Sequence, residues 1–199
     1  MRVTPWGGVG EIGGNIVELE VGEERILLDF GQSFSAGKEF FMDFLQPRKS
    51  AGALDYLEFG LLPPLQGLYH PDLLSLTEFS PEPPRYSGVF LSHAHGDHVM
   101  HIDKLDPSIP LYMGATTHTI LQANEKAGKT FNMGDHEKIV EFRTGDSITL
   151  GRNIAVRPVH LDHSVPGAYG FIVETPDGAL VYSGDLPFTG PPHAYRGTL

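Results

Sequence analysis

Three histidines and an aspartate fall within six residues in Ser92-His93-Ala94-His95-Gly96-Asp97-His98. Imidazole and carboxylate together suit zinc, manganese or iron rather than calcium. The apolar run Gly88-Val89-Phe90-Leu91 directly precedes them and reads as a short buried strand. A chain leaving a strand is still extended, so residues two apart point to one side, and His93 and His95 can converge on one point. Ala94 and Gly96 are small, and Gly96 allows a sharp fold-back that turns Asp97 and His98 towards a second point nearby. A single histidine is ordinarily a surface or satisfied core residue. Asp97 alone would read as a helix N-cap before Val99-Met100-His101-Ile102. The cluster as a unit has no such reading, because so many titratable groups at a strand end have no other stabilising purpose.

Two further carboxylates close apolar strands. Arg25-Ile26-Leu27-Leu28 ends on Asp29-Phe30-Gly31, and Ala179-Leu180-Val181-Tyr182-Ser183 ends on Gly184-Asp185. With two oxygens, Asp185 can bridge two metal ions. Asp29 reads either as a cap of the following turn or as a group supporting the metal site from behind. A second histidine cluster is Pro158-Val159-His160-Leu161-Asp162-His163-Ser164-Val165-Pro166-Gly167. His163 sits there in a polar turn after a strand, and His160 and Asp162 flank it as supporting or exposed residues.

These groups need a frame of strands. Asn15 to Val21 alternates like a strand, turns through Val21-Gly22-Glu23-Glu24 and returns over Arg25 to Gly31, a β-hairpin. Before it stands Gly7-Gly8-Val9-Gly10-Glu11-Ile12-Gly13-Gly14-Asn15. Gly8 to Gly13 fits the dinucleotide pattern G-x-G-x-x-G, but that pattern opens a helix and here a strand follows. The better reading is a glycine-rich turn between two strands that can approach the active site closely. Further strands are expected over 110–113, 138–142, 147–150, 153–159, 169–174 and 179–183. A short helix is expected over 99–105, and a longer one over 115–127 that Gly128 can terminate, with His118 on its exposed side. Residues 32–86 lack clean periodicity and carry the breakers Leu61-Leu62-Pro63-Pro64 and Pro81-Glu82-Pro83-Pro84. They are expected to form a long loop with short helices across the mouth of the site, as functional excursions of this length do, with His70 at the surface.

Composition narrows the classes. The 199 residues suffice for one domain with a sizeable core, and 40% hydrophobic content fits a globular protein. No run approaches the roughly 18 apolar residues of a membrane span, and the start Met1-Arg2-Val3-Thr4-Pro5-Trp6 has no signal-peptide core. The chain has no cysteine, which removes thiolate ligands and is compatible with a reducing cytoplasm, the expected location. The 14 basic and 25 acidic side chains give a formal charge of −11, which argues against a stand-alone nucleic-acid binder. It argues less against a metallonuclease, whose ligands are themselves acidic.

His-Ala-His-Gly-Asp-His at 93–98 matches the HxHxDH signature of the metallo-β-lactamase superfamily. In order along the chain stand a glycine-rich start, the Asp29-Phe30-Gly31 strand end, this signature, the turn Asp162-His163-Ser164-Val165-Pro166-Gly167-Ala168 and the Ser183-Gly184-Asp185 strand end. The chain thereby resembles the β-CASP branch of that superfamily, and most of all the RNase J group of bacterial and archaeal ribonucleases. The resemblance covers most of the chain and is weakest over 32–86.

It implies an α+β fold, a four-layer αββα sandwich over residues 1–199 of two mainly antiparallel sheets with helices outside, incomplete at the C-terminus. It implies that His93, His95 and His163 hold one divalent metal, that Asp97 and His98 hold a second, and that Asp185 bridges them. Zinc is the first expectation and manganese the second, at a separation of about 3.5–4 Å. Asp29 supports the site without binding metal. The implied reaction is phosphodiester hydrolysis by a metal-activated hydroxide, with Asp97 orienting the nucleophile and single-stranded RNA as substrate. The family's last metal-binding histidine lies well past the Gly-Asp element. His193 is the only later histidine here and is not adopted in its place. The chain is therefore expected to be the N-terminal portion of a longer nuclease whose RNA-gripping surface lies elsewhere, with weak activity alone. Homo-oligomerisation stays open. Two rivals stand beside this: a small-molecule hydrolase of thioesters, lactones or lactams using the same ligands, and a non-catalytic scaffold of the same fold.

Overall fold

Period-two alternation sorts the apolar residues of the central strands onto two faces. In β3 (Glu24–Leu28), Ile26 and Leu28 point one way and Leu27 the other. In β4 (Gly88–Leu91), Phe90 joins the first face, and Val89 and Leu91 the second. In β5 (Leu111–Gly114), Tyr112 joins the first, and Leu111 and Met113 the second. Strands apolar on both faces must be covered on both. A computed structural model of the chain, which describes residues 1–38, 40–41, 45–128 and 131–186, shows what covers them.

β1 (Arg2–Gly7), β2 (Ile16–Val21), β3, β4, β5 and β6 (Ile139–Phe142) form a six-stranded sheet in that order. β7 (Ile148–Leu150), β8 (Ile154–His160), β9 (Tyr169–Thr175) and β10 (Gly178–Tyr182) form a four-stranded antiparallel sheet in the order β10-β9-β8-β7. Between the sheets lies a core of Leu19, Ile26, Leu28, Phe90, Tyr112 and Phe142 against Ile154, Val156, Phe171 and Val173. Phe90 stacks on Tyr112 with ring centroids 4.5 Å apart. The other face of the larger sheet is covered by α1 (Leu54–Glu58), α2 (Gly96–Val99), α3 (Ala115–Lys126) and the segments between them. Helices, six-stranded sheet and four-stranded sheet are three layers of the expected sandwich. Among the described residues no helix covers the outer face of the smaller sheet.

Two local expectations are corrected. The larger sheet is mixed rather than mainly antiparallel: β1-β2-β3 pair antiparallel, but β3-β4, β4-β5 and β5-β6 pair parallel. Strands β3 to β6 are joined by long crossovers with helices on one face, and a crossover of that kind returns the next strand in the same direction. The helix expected over 99–105 breaks into α2 and a 3-10 turn at Ile102–Lys104. Its His101 N–H leaves the helical ladder to donate to the Phe30 carbonyl at 3.3 Å.

In the long excursion after β3, Leu62, Leu65, Leu68, Tyr69 and Leu74 lie in the helix-side core with Val99 and Ile102. Residues 31–34 are the part of it that borders the ligand loop. Asp55 pins the entry to α1. Its carboxylate accepts from the Arg48 guanidinium at 2.6 and 2.9 Å and from the Arg48 backbone N–H at 2.8 Å. These bonds outweigh its desolvation and hold the Asp55 carboxyl at about 2, below its ordinary 3.8. A carboxyl depressed on folding contributes stability that is complete above the unfolded value and is lost as pH falls through the folded one. Asp55→Asn is therefore expected to melt below the wild type at pH 7. The gap between the two melting temperatures should close as the pH is lowered from about 4 to about 2.

Candidate metal centre

The ligand loop leaves β4 between two backbone rails. Phe30 N–H donates to the His98 carbonyl at 2.8 Å, Gln32 N–H to Gly96 at 3.1 Å and Asn15 N–H to Asp97 at 3.1 Å. The glycine-rich start and the Asp-Phe-Gly element thus hold the loop from one side. Gly31 must be glycine for this: a Cβ there would lie 1.7 Å from the Asp97 carbonyl oxygen. From the other sheet, Tyr169 N–H donates to the Ser92 carbonyl at 2.9 Å, and Leu161 N–H to Ala168 at 2.9 Å closes the turn that carries His163. Thr117 of α3 donates to Gly167 at 3.0 Å and fixes that turn from above.

These constraints gather two groups of ligand atoms. His93, His95, His163 and Asp185 offer one atom each within 4.8 Å of one another, and Asp97, His98 and Asp185 do the same. In the first group His93 Nε2 lies 3.0 Å from His95 Nδ1, and His163 Nε2 lies 3.3 Å from the same nitrogen. Asp185 Oδ2 is 3.7 Å from His163 Nε2 and 4.0 Å from His93 Nε2. In the second group Asp185 Oδ1 is 3.2 Å, and Asp97 Oδ2 3.6 Å, from His98 Nε2. Donors about 2.0–2.1 Å from a tetrahedral ion stand about 3.3–3.4 Å apart, so the spacing fits one cation per group. Lone pairs turned on one another at this range repel unless a cation lies between them. The donor set fits zinc or manganese, and Asp185 presents a different oxygen to each group.

Hydrogen bonds behind the ligands decide which nitrogens face inward. The single proton of Ser92 Oγ goes to Asp29 Oδ2 at 2.8 Å, so Ser92 accepts from His93 Nδ1–H at 2.9 Å. His98 Nδ1–H donates to Asp29 Oδ2 at 2.7 Å. Both rings thereby turn Nδ1 to the supporting groups and Nε2 to the centre, which is how supporting groups orient metal-binding histidines. Asp29 is buried and also accepts from Ser92 N–H at 2.7 Å and Tyr182 OH at 2.6 Å. Burial, with His98 nearby, pushes His93 down to about 3, so it stays neutral and ready to ligate. Burial pushes His98 down too, but the Asp29 and Asp185 carboxylates outweigh it and hold it at about 10. His98 hydrogen-bonded to Asp185 holds that carboxyl at about 2.

All six candidate ligands and Asp29 therefore come together. His160 and Asp162 are exposed and lie outside both groups, with the His160 ring against Tyr169. His70 caps a 3-10 turn by accepting from Asp72 N–H at 3.1 Å. His118 is half-buried rather than exposed, because Glu141 on β6 accepts from it at 2.7 Å. His193 lies outside the described residues. Sequence reasoning missed Ser92 and Tyr182. Ser92 was legible as the hydroxyl directly before the first ligand, whereas Tyr182 has no local signal, because its partner is 153 residues away.

Comparison with known proteins agrees with this geometry. The β-lactamase superfamily domain pattern matches residues 64–196. Ribonuclease J 2 of Staphylococcus aureus (strain NCTC 8325 / PS 47) is 27% identical over 202 residues, covering 98% of this chain and 30% of its own length. Ribonuclease J of Pyrococcus abyssi is 22% identical over 191 residues, covering 94% of this chain and 38% of its own. The chain thus spans about a third of the length of these relatives. A crystal structure of a protein of unknown function from Enterococcus faecalis V583 is similar with a TM-score of 0.76 and 30% identity, over 92% of this chain and 43% of that one. A Cronobacter sakazakii metallo-β-lactamase mutant shares the fold at a TM-score of 0.55 and 16% identity, over 96% and 62%.

The hydrogen bonds behind the ligands have a measurable consequence. Tyr182→Phe removes one donor to Asp29, and Ser92→Ala removes the acceptor that fixes the His93 tautomer. Each is expected to weaken metal binding by about 10–100-fold, read by competition titration with a chromophoric chelator. For Tyr182→Phe the metal-free stability should fall by about 1.5–3 kcal/mol in urea, since the lost hydrogen bond is to a buried carboxylate.

Proposed function

From the premise that this chain belongs to the β-lactamase superfamily, we propose that it is the metal-binding part of a phosphodiester hydrolase that cleaves single-stranded RNA. The observation that carries this is Asp185, which turns one oxygen to the three-histidine group and the other to Asp97 and His98. A carboxylate shared in this way suits two ions a few ångströms apart, the arrangement used for in-line displacement at phosphorus. The Ribonuclease J relatives favour RNA over a lactam, lactone or thioester.

In this reading residues 1–199 form one metallo-β-lactamase-like domain, with 32–86 an excursion beside the site. His93, His95, His163 and Asp185 would hold one ion, and Asp97, His98 and Asp185 would hold the other. Zinc or manganese bound there would supply a nucleophile at neutral pH and would neutralise charge on the phosphoryl oxygens. The protein's own part is positioning. Asp29 and Ser92 aim the Nε2 atoms of His98 and His93 at the centre. Asp97, half-buried beside His98, orients the attacking water and accepts its proton. The charge of −11 supports a reading in which the basic surface that grips RNA lies outside this chain, in a longer cytoplasmic enzyme.

The test uses the full-length protein with a 5′-labelled single-stranded RNA, with manganese or zinc and after chelation. Metal-dependent cleavage is expected, and Asp97→Ala should lower kcat by about 10²–10⁴-fold. Hydrolysis of a thioester, lactone or lactam with RNA left intact would replace the nuclease reading by the small-molecule one. A metal-loaded protein that cleaves none of these would leave a scaffold.

A further inference from the structure

A cavity of about 170 Å³ beside the glycine-rich loop is lined by Trp6, Glu11, Ser33, Leu61, Pro63 and Pro64. Gly31 also forms part of its wall, and a Cβ on Gly31 would lie 1.7 Å from the Asp97 carbonyl oxygen, so the cavity is one backbone layer from the ligand loop. Its walls are anchored. Trp6 is 40% exposed, yet its Nε1–H donates to Glu18 at 3.0 Å. Glu18 is buried and also accepts from Tyr86 OH at 2.8 Å. This acid has no part in the metal centre, and what it holds is the indole. An exposed indole that cannot swing away is a preorganised stacking surface. The Pro63 carbonyl accepts from Tyr69 OH and from Leu65 N–H, and the two prolines are stiff.

The polar atoms of the wall set the chemistry of a ligand. Ser33 Oγ accepts from Ser35 N–H at 3.1 Å and Ala36 N–H at 3.0 Å, so its proton goes to Glu11 Oε2. Ser35 Oγ–H donates to the same oxygen at 2.6 Å. These hydroxyls hold the Glu11 carboxyl below its ordinary value. The other oxygen, Oε1, has only Gly8 N–H at 3.4 Å. The donors are spent elsewhere: the Trp6 N–H on Glu18, and the amides of Gly14, Gly31, Leu61 and Leu62 on backbone carbonyls. The free polar atom is therefore an ionised acceptor. A ligand that fits is flat, to lie on the indole, and presents donors to Glu11. Among the common nucleobases guanine alone carries two adjacent donors, N1–H and N2–H₂, on its pairing edge. Adenine and cytosine set an acceptor nitrogen beside the amino group, and uracil flanks its N–H with two carbonyls.

We propose that this cavity binds a guanine base, stacked on Trp6 and held through its N1–H and N2–H₂ by Glu11. For the source of the base the proposal rests on the RNA reading: an unpaired guanosine of the substrate, taken up beside the metal centre. Base stacking on an aromatic side chain and hydrogen bonds to a carboxylate are both available to single-stranded RNA, whose bases are free. A neutral base is not repelled by the chain's charge of −11, as its phosphates are. Cleavage would then favour RNA with a guanine at a fixed place relative to the cut.

The experiment follows the indole N–H resonance of Trp6 in the full-length protein, kept metal-free with a chelator so that RNA stays whole. Loss of the resonance in Trp6→Phe assigns it. Guanosine is expected to shift it saturably. Inosine, which lacks the N2 amino group, should bind at least about tenfold more weakly, and adenosine, cytidine and uridine no better than inosine. In Glu11→Gln the two serine hydroxyls hold the amide oxygen and turn its NH₂ to the cavity, so guanosine should again lose at least about tenfold. A matching melting temperature establishes that this variant folds, and the inosine comparison needs no variant. Guanosine that leaves the resonance unmoved, or binds no better than inosine, overturns the proposal, and so does Glu11→Gln binding guanosine like the wild type. N-acetylarginine amide shifting the resonance where guanosine does not replaces the base by a guanidinium of a protein partner. An oligouridylate with one central guanosine should shift the resonance and lose that effect when inosine replaces the guanosine. Free guanosine binding where this RNA does not overturns RNA as the source in favour of a free nucleotide. No readout depends on cleavage, so the hydrolase reading stands or falls separately.

Discussion

A carboxylate taken out of water is stable only when its lone pairs are filled by donors, and Asp29 is taken out completely. Its four donors come from places far apart in sequence: Ser92 N–H and Oγ–H, His98 Nδ1–H and Tyr182 OH. Asp29 adopts φ 61°, a left-handed conformation that costs a non-glycine residue roughly 1–2 kcal/mol. That turn at the end of β3 points the carboxylate back across the end of β4. Satisfying this one charge therefore fixes the end of β3, the start of the ligand loop and the end of β10 relative to one another. The two sheets and the two ligand groups meet where these three ends meet.

The same bonds select the chemistry. A neutral imidazole, the form in which histidine binds metal, has one proton to place, and placing it on Nδ1 of His93 and His98 leaves Nε2 as the only lone pair on each ring. Ser92 is the hinge of the arrangement, because a single hydroxyl proton given to Asp29 forces it to accept from His93. Glycine at position 31 lets backbone approach backbone, so the loop is held by amide-to-carbonyl bonds that leave every side chain from His93 to His98 free for other work. Rigid backbone and fixed tautomers are what a metal site needs, since ligand atoms that must reorganise lose affinity.

The ligand cluster was legible because its information is local. His93, His95, Asp97 and His98 are adjacent, a strand end dictates their directions, and Asp29 and Asp185 each close an apolar run. Strand positions were legible for the same reason, since alternation at 26–28, 89–91 and 111–113 is visible within a few residues. What escaped is non-local. The direction of β4 against β3 depends on a crossover of about sixty residues whose packing no short window shows. The helix after His98 ends early because the His101 N–H donates to the Phe30 carbonyl, just past the end of β3, a partner reached only by folding. Tyr182 looks like one more strand aromatic until β10 is laid beside Asp29.

The acidic balance of the chain is compatible with a phosphodiester substrate once the site's charge is considered by itself. Asp29, Asp97 and Asp185 bring three negative charges, and the histidine ligands are neutral when ligating. Two divalent ions among them would leave about one positive charge at the centre of a domain whose formal charge is −11. A negative surround repels a polyanion everywhere except at that point. For a phosphodiester substrate, affinity for the chain of phosphates would then have to come from another surface, and the metal site would contribute selectivity for the one phosphate that reaches it. In the proposed reading an acidic scaffold would suit such a site, because it would confine phosphate binding to the place where the bond is to be broken.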